Sequence, residues 1–204
     1  MKTRLSLILL AAIGLFAITG CASLKIVNVN APAINCLFST NCVVTVDDST
    51  APITFNYLNG TTSSGFLQSR TFQGSPGTPE AGLYAYVYRI ALDAVQGSPS
   101  NSFISTLTLN FNSIVPFDYN GQTSNAVWVV TSGGLGSGGP SRASATATNI
   151  TFEFNPPIVA GMSSYFFGVI SPYPPTNQTA QVTGLQEAMP RPLNLNVPGR
   201  IPSH

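Results

Sequence analysis

The sequence predicts an all-β protein, a single antiparallel β-sandwich, with a β-barrel as the alternative. Short stretches alternate apolar and polar residues, turn-forming residues separate these stretches, and no convincing amphipathic helix interrupts them. Thr, Val, Tyr and Phe suit pleated strands, while Asn, Gly, Ser and Pro suit turns. Because 44% of the residues are apolar, the chain has enough hydrophobic surface to fold and is not predicted to be disordered.

The first 20 residues have the composition of an export signal. Lys2 and Arg4 give a positive start, residues 5–18 form an apolar run, and small residues follow. The apolar run is shorter than the roughly 20 residues that a membrane-spanning helix needs, and no basic stop-transfer cluster follows it. We therefore expect residues 1–20 to be a cleaved signal peptide.

The residues at the expected cut are Ile18, Thr19, Gly20 and Cys21. This run resembles the lipobox of bacterial lipoproteins, although the family prefers Leu where this chain has Ile18. The resemblance covers only the leader, and it implies diacylation of the Cys21 thiol, cleavage after Gly20 and acylation of the new amine. An ordinary signal peptide that ends near a cysteine is the alternative.

The residue after the cysteine is Ala22 and not Asp. This choice resembles the pattern of lipoproteins that are sent to the outer membrane of Gram-negative bacteria. Each buried methylene of an acyl chain contributes about 0.8 kcal/mol, so two or three chains hold a protein stably at a membrane surface. We therefore expect a protein of the cell envelope, with the membrane as its partner through a lipid anchor.

Charge and length limit the function further. Removal of Lys2 and Arg4 with the leader changes the formal charge from +1 to −1, and the remaining basic residues are scattered, so no nucleic-acid partner is expected. Charged residues make up 7% of the chain, far below the usual quarter. The surface must therefore consist of hydroxyl and amide groups, around one core of ordinary domain size.

The two cysteines beyond Cys21 are Cys36 and Cys42, which are predicted to form a disulfide because an exported chain meets an oxidising compartment. Zinc is the competing interpretation, but two thiols and the terminal His204 cannot supply four ligands. No metal or cofactor is expected. Residues 21–41 are interpreted as the lipidated cysteine, a tether and the disulfide loop.

The first strands are predicted at residues 24–29, 42–46, 53–57 and 66–72, with a turn at residues 47–50. The strongest strand spans residues 82–95, where Tyr84, Tyr86 and Tyr88 fall on one face. Both of its faces are largely apolar, so we expect a central strand. A helix is the rival for residues 90–95, because Ala and Leu favour it.

Later strands are predicted at residues 103–111, 126–131, 148–154, 165–171 and 180–184. Alternation in two of them directs six side chains into one shared core, namely Leu107, Leu109, Phe111, Ile150, Phe152 and Phe154. Residues 42–186 are thus predicted to form the β-sandwich domain. Residues 187–204, rich in proline, are predicted to be a loosely held tail.

Catalytic patterns are weak, so we expect no enzyme. His204 is the only histidine and is the last residue, which argues against a nucleophile–histidine pair. Glu153 with Asp118 or Asp93 fits the carboxylate pair of a glycoside hydrolase, the less favoured alternative.

Two further motifs have more ordinary interpretations than ligand binding. Gly134, Gly136 and Gly139 match a dinucleotide fingerprint, but no helix is predicted after them, so they are interpreted as an inter-strand loop. The acids at residues 47 and 48 are compatible with calcium, although a turn with solvated acids is favoured.

Aromatic side chains are the best candidates for binding, because flat rings stack on sugars or anchor a protein partner. The candidates are Trp128, Tyr119 and Tyr173. Core packing is the favoured interpretation for Trp128 and for the tyrosines of the strong strand, and exposed tyrosines near loops are the better candidates. We therefore expect a structural or binding domain whose partner is a glycan or an envelope protein, and a carbohydrate-binding module is the main alternative.

Overall fold

The computed structural model of the chain describes residues 21–29, 45–74, 76–77, 80–96, 102–111, 113–116, 127–131, 136–186 and 191–203. These residues form twelve β-strands and no helix. In chain order the strands are β1 (Ala22–Leu24), β2 (Ile26–Val29), β3 (Thr45–Asn56), β4 (Thr62–Gln73), β5 (Tyr84–Ala91), β6 (Phe103–Asn110), β7 (Val127–Val130), β8 (Arg142–Ala145), β9 (Asn149–Val159), β10 (Phe166–Ser171), β11 (Pro175–Gln186) and β12 (Arg191–Pro202).

The strands build two six-stranded sheets that stack face to face. Sheet A has the order β1-β8-β9-β6-β11-β12, and sheet B has the order β2-β7-β10-β5-β4-β3. The sheets are not closed into a barrel, so the predicted β-sandwich is confirmed. Among the described strands the pairing is antiparallel except between β2 and β7.

A shared hydrophobic core fills the space between the sheets. All six residues predicted for it are buried: Leu107, Leu109, Phe111, Ile150, Phe152 and Phe154. Phe167 of sheet B packs against Phe152 of sheet A with ring centroids 4.9 Å apart, and against Phe154 at 5.5 Å. These aromatic contacts hold the two sheets together at the centre of the molecule.

The strand predicted at residues 82–95 is β5, and it is central as expected. It lies between β10 and β4 in sheet B, and every residue from 85 to 92 is buried. The strand ends at Ala91, and the Val95 amide donates a 3.0 Å hydrogen bond to the Leu92 carbonyl. Residues 92–95 therefore form a turn, and the rival helix is not found there.

The turn predicted at residues 47–50 is wrong, because β3 runs through this segment without interruption. It pairs with β4 along its whole length. The Asp48 carboxylate accepts hydrogen bonds from the side chains of Gln68 and Arg70 on β4. An acid that resembles a turn signal in isolation is satisfied here by neighbours across the sheet, which is why the strand continues.

The prediction of a loose tail at residues 187–204 is also wrong. Arg191–Pro202 forms β12 and pairs with β11 along its full length. Its alternate residues Leu193, Val197 and Ile201 are buried in the core. The prolines of this segment are compatible with a strand because β12 is the edge of sheet A, where one row of amides has no partner strand.

The predicted tether at residues 21–41 is corrected for its first part. Ala22–Leu24 pairs with β8 in sheet A, and Ile26–Val29 pairs with β7 in sheet B, so one extended segment crosses between the sheets at Lys25. Strand β8 itself was not predicted, because its short Arg-Ala-Ser-Ala sequence has low β propensity. The remainder of the predicted tether and the disulfide loop lie outside the described residues.

The strand registers place Cys21 at one end of the sandwich. Ala22 pairs with Ala145, next to the β8–β9 turn at residues 146–148. The registers across sheet A bring the start of β11 to the same end, where the turn at residues 172–174 joins it to β10. We call this the Cys21 end. The turns at residues 57–61 and 160–165 lie at the opposite, far end.

Candidate functional site

Cys21 is exposed and carries a free thiol. It immediately precedes β1, whose three residues pair with β8 at the edge of sheet A. Among the described residues the first strand begins one residue after the cysteine, whose sulfur is accessible. A thiol in this position can be acylated without any rearrangement of the sandwich.

Several predicted site residues cannot be placed. Cys36, Cys42, Tyr119 and Asp118 lie outside the described residues. The disulfide between the two cysteines therefore stays a prediction, as does any role of Tyr119 in binding.

Trp128 is not an exposed binding platform, because only 3% of its surface is accessible. It belongs to a second apolar cluster on the outer face of sheet B, together with Val130, Phe166 and Ile170. Strand pairing sets Trp128 directly opposite Gly168 on β10. A methyl group at Gly168 would lie only 2.8 Å from Cη2 of the indole ring. The indole ring of Trp128 thus packs over Gly168, where no side chain stands in its way, and this contact explains why the ring is buried.

The tyrosines of β5 combine buried rings with hydrogen-bonded hydroxyls. The Tyr86 hydroxyl donates to the carbonyl of Tyr173 at 2.7 Å, and the Tyr88 hydroxyl donates to the carbonyl of Arg200 at 2.6 Å. Burial, followed by the charges of neighbouring tyrosines, raises the pKa of both phenols. They are core residues that tie sheet B to the elements around it and are not available to stack on a ligand.

Tyr173 is the predicted aromatic that remains accessible, with 42% of its surface exposed. It lies in the β10–β11 turn at the Cys21 end, between Pro172 and Pro174. Its amide donates a 3.3 Å hydrogen bond to the Ser171 hydroxyl, and its carbonyl accepts the Tyr86 hydroxyl. The backbone on which the ring is mounted is therefore fixed on both sides.

The outward side of sheet A carries polar side chains, most of them uncharged, in cross-strand rows, and we call it the polar face. The first row contains Arg142, Glu153, Thr106, Thr183 and Asn194, and the second contains Thr151, Thr108, Gln181 and Asn196. Neighbouring members stand about 4.8 Å apart, the spacing between strands.

Hydrogen bonds between hydroxyl groups join neighbouring strands within each row of the polar face. Thr108 and Thr151 are 3.0 Å apart, and Thr106 bonds to Thr183. The sequence showed polar residues on alternate positions of each strand, but it could not show that they form continuous rows. That continuity depends on which strands are neighbours and on their register.

The charges on and around the polar face are paired. Glu153 lies 3.8 Å from Arg142 across β8 and β9, and both side chains are exposed. Asp93, its proposed partner in catalysis, follows β5 in sheet B and contacts Arg89 at 3.2 Å. Glu153 points away from sheet A, whereas Arg89 packs near Phe166 on the outer face of sheet B. The structure therefore separates Glu153 from Asp93 by the whole sandwich.

The calcium alternative does not gain support from Asp48. Its carboxylate forms a salt bridge with Arg70 and accepts hydrogen bonds from Gln68. In the part of the chain that the structure describes, no group of three or more His, Cys, Asp or Glu residues is placed to hold a metal ion.

The glycine-rich segment connects strands, as predicted. Gly134 lies outside the described residues, while Gly136 and Gly139 belong to the connection from β7 to β8. A methyl group at Gly136 would lie 2.1 Å from the Ser164 carbonyl oxygen, and Gly138 bridges to Ser164. The glycines thus permit close backbone packing at the far end, and a strand follows them in place of a helix.

Comparisons with protein families, curated proteins and solved structures gave no significant match to this chain. Within the described ranges, no helix has the length and hydropathy required to cross a membrane.

Proposed function

We propose that the chain is a lipid-anchored protein of the bacterial cell envelope whose β-sandwich has a structural or binding role without catalysis. The observation that carries the anchor is the position of Cys21, exposed and directly ahead of β1. The same cysteine ends the lipobox-like run in the sequence. The outer membrane of a Gram-negative bacterium is the location that the Ala22 pattern favours.

The polar face supports a binding role. Its two rows present hydroxyl and amide groups that are at least partly exposed. Because amides and hydroxyls both donate and accept hydrogen bonds, such a surface can recognise a partner that is itself rich in polar, uncharged groups. The only ionic groups in the rows are Glu153 and Arg142, which pair with each other. The face thus has no net charge.

The arrangement of carboxylates supports a role without catalysis. Acid–base hydrolysis of a glycoside requires two carboxyl groups on either side of one bond, separated by about 5–10 Å. Here Glu153, Asp93 and Asp48 are paired with Arg142, Arg89 and Arg70 respectively. Each of these carboxylates is therefore engaged by a guanidinium, and Glu153 lies on the other sheet from Asp93 and Asp48, whose arginines both pack near Phe166 on the outer face of sheet B.

Binding of a neutral polysaccharide is the second candidate function, and the polar face is the observation that favours it. Sugar hydroxyls form hydrogen bonds with amide and hydroxyl groups such as those of Gln181, Asn196 and Thr108. The predicted stacking platform at Trp128 does not contribute, since this residue is buried. A glycan would consequently bind by hydrogen bonds across the rows.

The lipid anchor is tested by Cys21→Ser, with Ala22→Ser as a control that keeps the thiol. We expect the wild-type and control proteins to fractionate with membranes and to give an N-terminal peptide that starts at acylated Cys21. The Cys21→Ser protein should remain an unprocessed precursor or be released. A mature wild-type protein that begins at an unmodified residue would refute the anchor.

The role of the sandwich is tested by incubation with a panel of neutral polysaccharides, followed by measurement of retention and of new reducing ends. Retention without release supports glycan binding, and Gln181→Ala combined with Asn196→Ala should then weaken it about tenfold. Thr50→Ala, on the exposed outer side of sheet B, is the matched control. Release of reducing ends that disappears in Glu153→Gln would overturn the non-catalytic role.

A further inference from the structure

We infer that the Cys21 end of the sandwich lies directly on the lipid surface, with the Tyr173 ring in the headgroup region of the membrane that holds the acyl chains. This inference rests on the proposed lipid anchor and adds the orientation of the domain. It identifies the lipid-facing surface as the turns at residues 146–148 and 172–174 together with residues 113–116, which reach the same end because Val115 bridges to Ile170 near the end of β10.

No spacer separates Cys21 from the first strand, which starts at Ala22. Ala22, Ser23 and Leu24 pair one by one with Ala145, Ser144 and Ala143. Consecutive Cα atoms are 3.8 Å apart, so the fold starts within one residue of the acylated sulfur. An anchor at the boundary of headgroups and acyl chains therefore holds the Cys21 end at the membrane surface and leaves little freedom for the domain to lift away.

Tyr173 places an exposed aromatic ring at the Cys21 end. Three large apolar or aromatic side chains of the described chain are exposed: Tyr173, Leu58 and Met162. Leu58 and Met162 belong to turns at the far end, whereas Tyr173 belongs to a turn at the Cys21 end. A tyrosine ring favours the membrane interface, because its apolar body and its polar hydroxyl match the two sides of that boundary. The proline neighbours and the two backbone hydrogen bonds of Tyr173 fix the backbone that carries the ring.

The proposed lipid-facing surface carries no charged side chain. Residues 113–116, 146–148 and 172–174 contain Ser, Thr, Ala, Ile, Val, Pro and Tyr, and no ionisable side chain other than the tyrosine phenol. Moving such a surface into the headgroup region requires no desolvation of a charge, which would be the most costly step. At the far end the Arg89–Asp93 ion pair lies beside the turn that follows β5. At the Cys21 end Glu80 lies in the β4–β5 connection, which is therefore not part of the proposed lipid-facing surface.

The orientation is tested with single tryptophan reporters. Tyr173→Trp places a reporter at the Cys21 end, and Leu58→Trp places one at the far end, while the native Trp128 gives the same buried background in both. The mature proteins, as a bacterium exports and processes them, are mixed with vesicles of phosphatidylethanolamine and phosphatidylglycerol, with or without bromine on the acyl chains. Bromine quenches indole emission only at close range.

We expect the Tyr173→Trp protein to show a blue shift on insertion and a loss of its added emission with brominated lipid. The Leu58→Trp protein should show neither change. Equal quenching of the two variants, or no quenching of either while both remain vesicle-bound, would overturn the orientation and leave the anchor intact. Failure of both proteins to associate with vesicles, together with an unmodified Cys21 in the mass spectrum, would refute the anchor and the orientation together.

Discussion

The hydroxyl group of Tyr88, on the central strand of sheet B, donates a 2.6 Å hydrogen bond to the backbone carbonyl of Arg200 on β12. Tyr88 is completely buried, and its ring lies 6.2 Å from that of Phe167. Because β12 is the edge of sheet A, this bond connects the centre of one sheet to the margin of the other. It helps to explain why the C-terminal segment, despite its prolines, is a strand.

Tyr88→Phe should lower the free energy of unfolding by about 1 kcal/mol, the net value of a buried hydrogen bond. Because the aromatic ring is retained, the decrease in stability reports the contribution of the hydroxyl group alone. Urea unfolding followed by the emission of Trp128 measures this change. Tyr57→Phe is the control, because its hydroxyl donates to the Gln96 carbonyl at an exposed position. An equal decrease in the free energy of unfolding in the two variants would show that the contribution of the hydrogen bond does not depend on its burial.

Alkaline pH should destabilise the protein through the buried tyrosines. Burial raises the pKa of Tyr86 and Tyr88 above 10.0, the value of an unperturbed phenol. Between pH 10 and the folded-state pKa, the unfolded chain releases these protons and the folded chain keeps them. The stabilising contribution is therefore complete below about pH 10 and decreases above it by about 1.4 kcal/mol per pH unit for each tyrosine.

The measurement is the urea midpoint as a function of pH from neutral to alkaline values. Replacement of both Tyr86 and Tyr88 by Phe should flatten the alkaline part of the curve, although the variant is less stable at neutral pH. Tyr173→Phe serves as the control, since its ring is exposed. If the alkaline slope survives in the double variant, other groups cause it.

Local alternation was sufficient to predict the parts of the fold in which each strand has one apolar side. Leu107 and Phe152 illustrate this, because both lie in regular alternating runs and both are buried opposite each other in adjacent strands. Alternation shows which side chains of a strand share its buried side, whichever strands are its neighbours. These core residues could therefore be predicted without knowledge of the strand order.

The errors arose where a neighbouring strand decides the conformation. In the sequence alone Asp48 resembles a turn residue, but in the sheet it pairs with Arg70 of the neighbouring strand. The prolines of β12 likewise resemble those of a tail, but the segment forms the edge strand of sheet A. The polar face depends on the same long-range information. Thr106, Thr151 and Gln181 are separate polar residues in the sequence and become members of continuous rows only through the registers of β6, β9 and β11.

Phe152→Ala should cost about 3–5 kcal/mol, since it removes an aromatic ring from the contact between the sheets and leaves a cavity. Thr151→Ala, one residue away on the polar face, should cost about 1 kcal/mol or less, because it removes only a partly buried hydroxyl contact with Thr108. Chemical unfolding of both variants measures the two changes in the free energy of unfolding. Similar losses would contradict the assignment of the two faces of β9.

The predicted disulfide should make Cys36 and Cys42 unreactive in the exported protein. A bond between residues this close in the chain is worth about 2 kcal/mol on the chain-entropy view. Alkylation followed by mass spectrometry should modify the two thiols only after reduction. Cys36→Ser provides the comparison, because it should leave Cys42 open to the reagent without reduction. Complete labelling of both native cysteines under non-reducing conditions would exclude the bond.

Gly168→Ala should destabilise the protein by about 1–3 kcal/mol, the usual cost of forcing extra volume into a packed site. The added methyl group would lie 2.2 Å from the Tyr86 carbonyl oxygen and 2.8 Å from the Trp128 ring, so the indole and the strand must both move. Trp128 is the only tryptophan of the chain, and its emission should shift to longer wavelength as its packing loosens. The matched control is Gly138→Ala, whose methyl group would have its nearest neighbour at 3.4 Å. Unchanged stability and emission in Gly168→Ala would show that the space beneath the ring is larger than the contacts indicate.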